Sequence, residues 1–496
     1  MPIDLDEVIP INPDDPKYLP MLANLQGNIL KSHGRNHAVH LFLTFNEDSS
    51  EIRRWIADFS ARYVTSALRQ HLETKELRAN EISGRLFAGF HLSAKGYAAL
   101  NLPDFNLEDF VEDTSVNNCP DVYFKAGMEF SGGEINDVPR DEWEANFRDN
   151  DIDALVILAD DDAPRLKEMS ALVIESLKNA AVNIFTQNGV VLRNEAGKPI
   201  EHFGFRDCIS QPVFYSEDVE KARVNGFEKW DSLAPLSLVL ERDPLSVEED
   251  CFGSYLVYRK LEQNVKKFKS QEAELAGAGC LNLTANDLEK AGALIVGRFR
   301  NGVPIELSAF DTDENLIDFN DFNFVGDDVQ PTVSRCPYQG HIRRMMPRGE
   351  TGLDENGKVK AEELQHRIVR RGVPYDGRER DADGKLLDES AAEKDVGLLF
   401  ICFQSSIPKQ FGFVQAKWAN TTEFFDKNGV GIDPIAGQYE TGDASEYQKW
   451  HLNWGVDEGK KAFNFESCVV LKGGEFFFTP SLSFLQSLKF RVHAQA

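Results

Sequence analysis

His341 stands in the stretch SRCPYQGHIRRMMPR, with Pro337 and Gly340 breaking the backbone just before it and Arg335, Arg343, Arg344 and Arg348 around it. A histidine presented from a loop among arginines suits a metal that carries an anionic ligand, such as haem iron with its propionates. The same spacing also fits a packed or surface histidine beside solvated arginines. Cys336 offers a thiolate as an alternative axial ligand. Asp207, in HFGFRDCISQPVF, is flanked by apolar and turn-forming residues. Burial would suit that carboxyl to shuttling a proton, and it reads equally as a turn residue ahead of Ser210 and Pro212. Arg370 and Arg371, in HRIVRRGVPYDG, follow an apolar pair and precede a Gly/Pro turn, so one of them could point inward as an electrostatic stabiliser. His202, Asp207 and His341 would make the two-histidine, one-carboxylate set of a non-haem iron oxygenase, if the fold brings them to one face. His33, His37 and His40 have a spacing that could hold zinc on a helix, but Gly34 and the strand-like HLFLTF spoil that face, and solvated or packed histidines are expected there.

The elements that must position these residues are short. HAVHLFLTF (37–45), RLFAGFHLS (85–93) and DALVILA (153–159) are rich in Phe and branched residues and bounded by turn formers, so they read as strands. Between them, Ile52, Trp55, Ile56, Phe59, Tyr63 and Val64 make one apolar stripe and predict a helix over 52–68. Asp160, Asp161 and Asp162 cap a further helix that begins near Pro164. A similar unit recurs late, with β-like runs at 292–298, 396–403 and 467–480. A helix over 406–418 there puts Ile407, Phe411, Val414 and Trp418 on one face. Residues 215–285 look charged and irregular, and 349–366 and 376–394 look like loops. Strands alternating with amphipathic helices predict an α+β chain in two halves.

At 496 residues the chain can bury a large core. Lys and Arg total 54 against 81 Asp and Glu, a net charge of −27, and such a surface repels nucleic-acid phosphates. The seven cysteines form no CxxC pair, which reads as reduced thiols in an intracellular protein. The start lacks a basic segment followed by an apolar run, and no stretch approaches 18 apolar residues. The expectation is a soluble cytoplasmic protein with no membrane or nucleic-acid partner.

The ordered motifs resemble the dye-decolourising (DyP-type) haem peroxidases. Gly204-Phe205-Arg206-Asp207 with Gln211-Pro212 is similar to the family's GxxDG segment, and Cys336-Pro337 through His341-Ile342-Arg343 to its CPxxxHIR segment. Ile368 to Tyr375 is similar to IxRxGxPYG, Gly397-Leu398-Leu399-Phe400 to GLxF, and Asp433 to Gln438 to DPxxGQ. Gly473-Gly474-Glu475 through Ser481 matches the GGExFFxPS ending, and LQGNIL (25–30) fits as well. Each motif is weak alone, and the ordered set spans nearly the whole chain.

The resemblance implies a haem b cofactor, hydrogen peroxide as oxidant, and dyes, phenols or similar bulky small molecules as reductants oxidised by one-electron steps. It implies His341 as the iron ligand and Asp433 as the acidic partner of that histidine. It further implies Asp207 as the acid–base group, Arg370 as the charge-stabilising arginine, and Leu398 and Phe400 as pocket lining. Arg343 becomes a propionate partner, and Tyr375 and Trp418 become surface aromatics that relay electrons. The implied fold is two ferredoxin-like halves with antiparallel sheets, of the dimeric α+β barrel type. Residues 1–225 would form the half carrying the GxxD motif, 226–290 a connector or insertion, and 291–496 the haem-binding half. One position departs from the pattern: Cys208 replaces the second glycine of GxxDG, adding a Cβ and an oxidisable sulfur beside Asp207. That change keeps open a haem-binding or sensing protein with little turnover.

Overall fold

The computed structural model describes residues 3–491 apart from 81–83, 112–122, 247, 249, 278–279, 282, 284–287, 326–334, 379–385, 387–389, 425–429, 439–447, 451 and 455–458. Cys119 and most of the expected loop 376–394 lie outside the described residues. The three early runs rich in Phe and branched residues form β1 (His37–Phe45), β2 (Phe87–Leu92) and β3 (Ala154–Asp160). Asp162 accepts the backbone N–H of Arg165 and starts α3 (Ala163–Ser176), which leads to β4 (Ala181–Val190). The stripe expected to run as one helix over 52–68 is cut in two, α1 (Ser49–Arg62) and α2 (Ala67–Asn80). The break falls where Thr65 turns its carbonyl to the N–H of Gly27 and Ser66 Oγ accepts the N–H of Arg69, two bonds that a continuous helix would forfeit.

The second half differs more from expectation. Residues 252–263, inside the stretch read as irregular and as a connector, form β6 (Phe252–Gln263), preceded by the short β5 (Glu241–Arg242) and followed by α4 (Val265–Ala276). Arg259 and Lys260 disguise this strand in the sequence. Both are buried against acidic partners, Asp137 and Glu144, rather than solvated. The run 292–298, read as a strand, belongs to α5 (Leu288–Val296), which Gly297 ends in the left-handed conformation at φ +104°. A short apolar run cannot distinguish strand from buried helix by periodicity, and here the following glycine was the telling residue. Next come α6 (His341–Met345), β7 (Val369–Arg370), β8 (Val373–Asp376), β9 (Val396–Gln404) and β10 (Val469–Thr479). Ile407, Phe411, Val414 and Trp418 are all buried as their spacing predicts, but the segment is wound wider than an α-helix, with π-type turns over Pro408–Gly412 and Val414–Ala419.

Ten strands make one antiparallel sheet in the order β8-β9-β6-β10-β2-β3-β1-β4, with β5 beside β6 and β7 beside β9. In each set of four the last strand lies next to the first, the first next to the third, and the third next to the second. That is the ferredoxin-like arrangement, present twice. The two sets join where Phe478 of β10 pairs with Leu92 of β2. Their outer edges also meet: a Cβ on Gly189 of β4 would lie 2.4 Å from Val373 Cγ1 of β8. The chain is therefore α+β, two ferredoxin-like half-sheets set edge to edge. Among the described residues no helix is long and apolar enough to cross a membrane.

Candidate active site

Gly340 turns the chain into α6 so that its first residue, His341, faces a cavity in the C-terminal part of the fold. His341 Nδ1 lies 2.9 and 3.2 Å from the two oxygens of Asp433. That carboxyl also accepts the backbone N–H groups of Ile435 and Ala436 at 2.7 and 2.9 Å. Burial pushes the Asp433 carboxyl up, but the adjacent imidazole and the two N–H donors outweigh it and hold it below the ordinary carboxylate value. An ionised acceptor fixes the proton on Nδ1. Nε2 is left with its lone pair, and no partner for it is recorded among the described residues. A histidine in this tautomer, open to a cavity, has a nitrogen that could hold a metal.

Asp207 lines the same cavity from the loop after Phe205. Its Oδ1 accepts Arg370 Nη1 at 3.0 Å and the N–H of Cys208 at 2.6 Å, while Oδ2 has no recorded partner among the described residues. Arg370, at the end of β7, is itself held: Nη2 donates to the Ser210 carbonyl at 3.2 Å, and its N–H donates to Gln211 Oε1 at 3.1 Å. Leu398 and Phe400, two residues apart on β9 and so on one face of the strand, form part of the wall. The cavity has a volume of about 270 Å³.

Cys208 keeps the backbone shape of the glycine it replaces, with φ at +63°. The residue is exposed and its side chain opens into the cavity, where partial desolvation and the neighbouring Asp207 carboxylate push its thiol up to about 12 and disfavour the thiolate. A left-handed residue with a Cβ costs about 1–2 kcal/mol, partly offset by the greater chain entropy of glycine. Cys208→Gly should therefore stabilise the protein by up to about 1 kcal/mol, read as a higher denaturant midpoint with unchanged slope. A lower midpoint would show that the loop is not strained there.

Other expected residues lie elsewhere. Arg343, two positions past His341 and so on the far side of the helix, is buried against Glu350, donates to the Cys336 carbonyl and stacks 3.9 Å from the Tyr338 ring. It is absent from the cavity wall and cannot serve there as a propionate partner. Cys336 is buried, and its thiol is pushed far up by desolvation. His202 shares a 2.8 Å hydrogen bond with the Tyr375 carbonyl and is also off the wall, so the set with Asp207 and His341 does not assemble. Tyr375 and Trp418 are buried, 6% and 4% exposed, not surface aromatics. The Tyr375 ring has Lys260 Nζ 4.8 Å from its centre, and Trp418 lies edge-on to Phe413 and His366. His37 and His40 sit an odd number of residues apart on β1 and point to opposite faces, with His40 in the core 3.4 Å from the Tyr258 hydroxyl. Several wall residues escaped the sequence reading, among them the arginines Arg206, Arg259, Arg298 and Arg367. Arg206 was visible inside the GFRD segment, and Arg298 was hidden by taking its run for a strand.

The sequence model described as Dyp-type peroxidase, C-terminal, matches residues 349–438. The multifunctional dye peroxidase of Amycolatopsis sp. is 36% identical over 98% of this chain and 100% of its own. The chain belongs to the DyP-type peroxidase family. The crystal structure of the Anabaena sp. DyP-type peroxidase superposes with a TM-score of 0.86 at 40% identity, over 98% of this chain and 99% of that one. A fungal DyP-type peroxidase from Auricularia auricula-judae, at 22% identity and TM-score 0.72 over 94% and 99%, shares the fold. DyP-type peroxidases are haem enzymes, and the cavity fits such a group. One imidazole nitrogen is available to a metal, its other nitrogen is fixed by a carboxylate, and apolar side chains from Leu398, Phe400 and Ile342 line the wall.

Proposed function

We propose that this DyP-type peroxidase holds haem b through His341 and uses hydrogen peroxide to oxidise dyes, phenols or similar bulky small molecules in one-electron steps. One observation carries the reading: a histidine backed by a buried carboxylate and a carboxylate paired with an arginine line a single cavity. When bound, haem b would store the two oxidising equivalents of peroxide and release them one at a time. Asp433 keeps the Nδ1 proton in place and raises the basicity of Nε2. Asp207 acts through Oδ2, since Oδ1 is engaged. It takes a proton from one oxygen of hydrogen peroxide and delivers it to the other, so that water departs. Arg370 supplies fixed positive charge where negative charge develops on the departing oxygen, with no reorganisation because Ser210 and Gln211 already hold it. Leu398 and Phe400 keep water from the reacting atoms. Dyes as reductants are supported by the dye peroxidase of Amycolatopsis sp..

The chain produced with haemin should show a Soret band and oxidise a dye only when peroxide is present. A colourless product would remove the cofactor, and a coloured one inert toward peroxide would leave a haem-binding protein without turnover. Electron relay through the buried Tyr375 and Trp418 predicts that replacing both by Phe slows a bulky dye while sparing a small phenol. Equal rates for both substrates would dispose of the relay.

A further inference from the structure

A second carboxylate stands on the cavity wall with Asp207 and takes no part in the proton transfer described above. Glu201 opens the turn that leads into the GFRD segment. The backbone closes that turn: the Glu201 N–H donates to the Phe205 carbonyl at 3.1 Å, and the Gly204 N–H donates to the Glu201 carbonyl at 2.9 Å. Gly204 makes the reversal in the left-handed region, at φ +96°, and Ile200 and Arg206 pair antiparallel across the base.

The Glu201 side chain folds back into its own turn. Oε2 accepts the N–H of Phe203 at 2.8 Å, and Oε1 accepts the N–H of Phe205 at 2.9 Å. Neither N–H has a recorded backbone acceptor among the described residues, so the carboxylate satisfies both. Gln263, the last residue of β6, donates Nε2 to Glu201 Oε2 at 2.5 Å, while its own Oε1 is buried without a partner among the described residues. The amide is thus committed to Glu201. Phe203 stacks 4.2 Å from Phe268 of α4, and Arg300 Nε donates to the Phe203 carbonyl at 3.3 Å. The turn is fastened to β6 and α4, and a single carboxylate holds its centre.

The aim of Asp207 depends on that fastening. Phe205 precedes Asp207 by two positions, about 7 Å of chain, so a shift of the Phe205 N–H passes directly to the acid–base group. Glu201 is poorly placed to carry a proton itself, because both its oxygens are engaged. We infer that Glu201 is a positioning residue that, tied by Gln263, clamps the turn over 201–205 so that Asp207 presents Oδ2 to peroxide. This rests on the proton-transfer role proposed above for Asp207.

Glu201→Gln keeps the size of the side chain but replaces one acceptor oxygen with an amide N–H₂. Gln263 can turn its amide to meet that group, yet one of the two turn N–H groups is left facing a donor. Hydrogen exchange over residues 201–207 of the haemin-loaded chain should quicken about tenfold or more. Reaction with peroxide, followed by stopped-flow absorbance, should slow about 10–100-fold, the scale of a small misplacement. The kcat/KM for a dye should hold, since electron delivery from the dye does not call on Asp207. The decisive measurement repeats the substitution in the Asp207→Ala background. With no carboxyl left to aim, Glu201→Gln should slow the reaction no further. A double variant slower by the product of the single effects would show that Glu201 acts on its own. That result overturns the assignment, as do unchanged exchange, an unslowed peroxide reaction, or equal losses for peroxide and dye. If the glutamine variant does not fold, Glu201→Asp takes its place. It reaches the Phe203 N–H as an Asx turn but not that of Phe205, and a smaller slowing is expected on the same tests. A normal rate in Asp207→Ala alone would instead remove the proton-transfer role, and this inference with it.

Discussion

Asp207→Ala should slow peroxide-dependent oxidation by about 10²–10⁴, the usual worth of a positioned acid–base group, with haemin content unchanged. Arg370→Leu should cost about 10²–10³, because it removes preorganised positive charge rather than the proton carrier. Stopped-flow absorbance after mixing with peroxide reads both. The two share one hydrogen bond, Asp207 Oδ1 to Arg370 Nη1 at 3.0 Å, so their effects should not add. Arg370→Leu also frees Oδ1 and lets the carboxyl swing, so part of its cost is lost aim. The double variant should therefore be little slower than Asp207→Ala alone. A double variant slower by the product of the single effects would mean that the two groups act independently, and normal rates in both single variants would remove the proton-transfer assignment.

The other large effect concerns the metal side. His341→Ala should abolish the Soret band of chain produced with haemin, because among the described residues no second one on the wall offers an imidazole. Added imidazole should restore colour and only part of the turnover, since a free ring can donate to Asp433 but is not tethered in that orientation. Asp433→Asn should be milder, about 10–100-fold in haemin affinity or turnover, the range for a group that orients a metal ligand. Its amide can donate as well as accept, and N–H groups of Ile435 and Ala436 already point at it, so the side chain would turn its oxygen to them and its nitrogen toward His341. That would reverse the proton on Nδ1 and is why a conservative change should still be felt. A full Soret band in His341→Ala would show that the iron is held elsewhere.

What could be read in advance followed from how local the signal was. The strands at 37–45, 153–159 and 396–403 announce themselves because their burial is a property of a few adjacent side chains. The pairing of His341 with Asp433 spans 92 residues and that of Asp207 with Arg370 spans 163, and no periodicity reports such distances. Those residues were reachable only through ordered motifs. Arg343 misled for a geometric reason: adjacency in sequence to His341 puts it on the opposite side of a five-residue helix. Strand 252–263 was missed because its charges are neutralised by Asp137 and Glu144, more than a hundred positions upstream. Arg206 and Arg298 went unnoticed since a lone arginine in an apolar run looks like an interruption rather than a wall.

The placement of the final strand has a consequence for biogenesis. Residues 469–479 lie in the middle of the sheet, between a strand that starts at Phe252 and one that starts at Phe87. The two portions can therefore be zipped together along this seam only after Val469–Thr479 has been synthesised. Any product terminated upstream of Val469 would present two raw, unpaired borders, the kind of surface on which chains stick to one another.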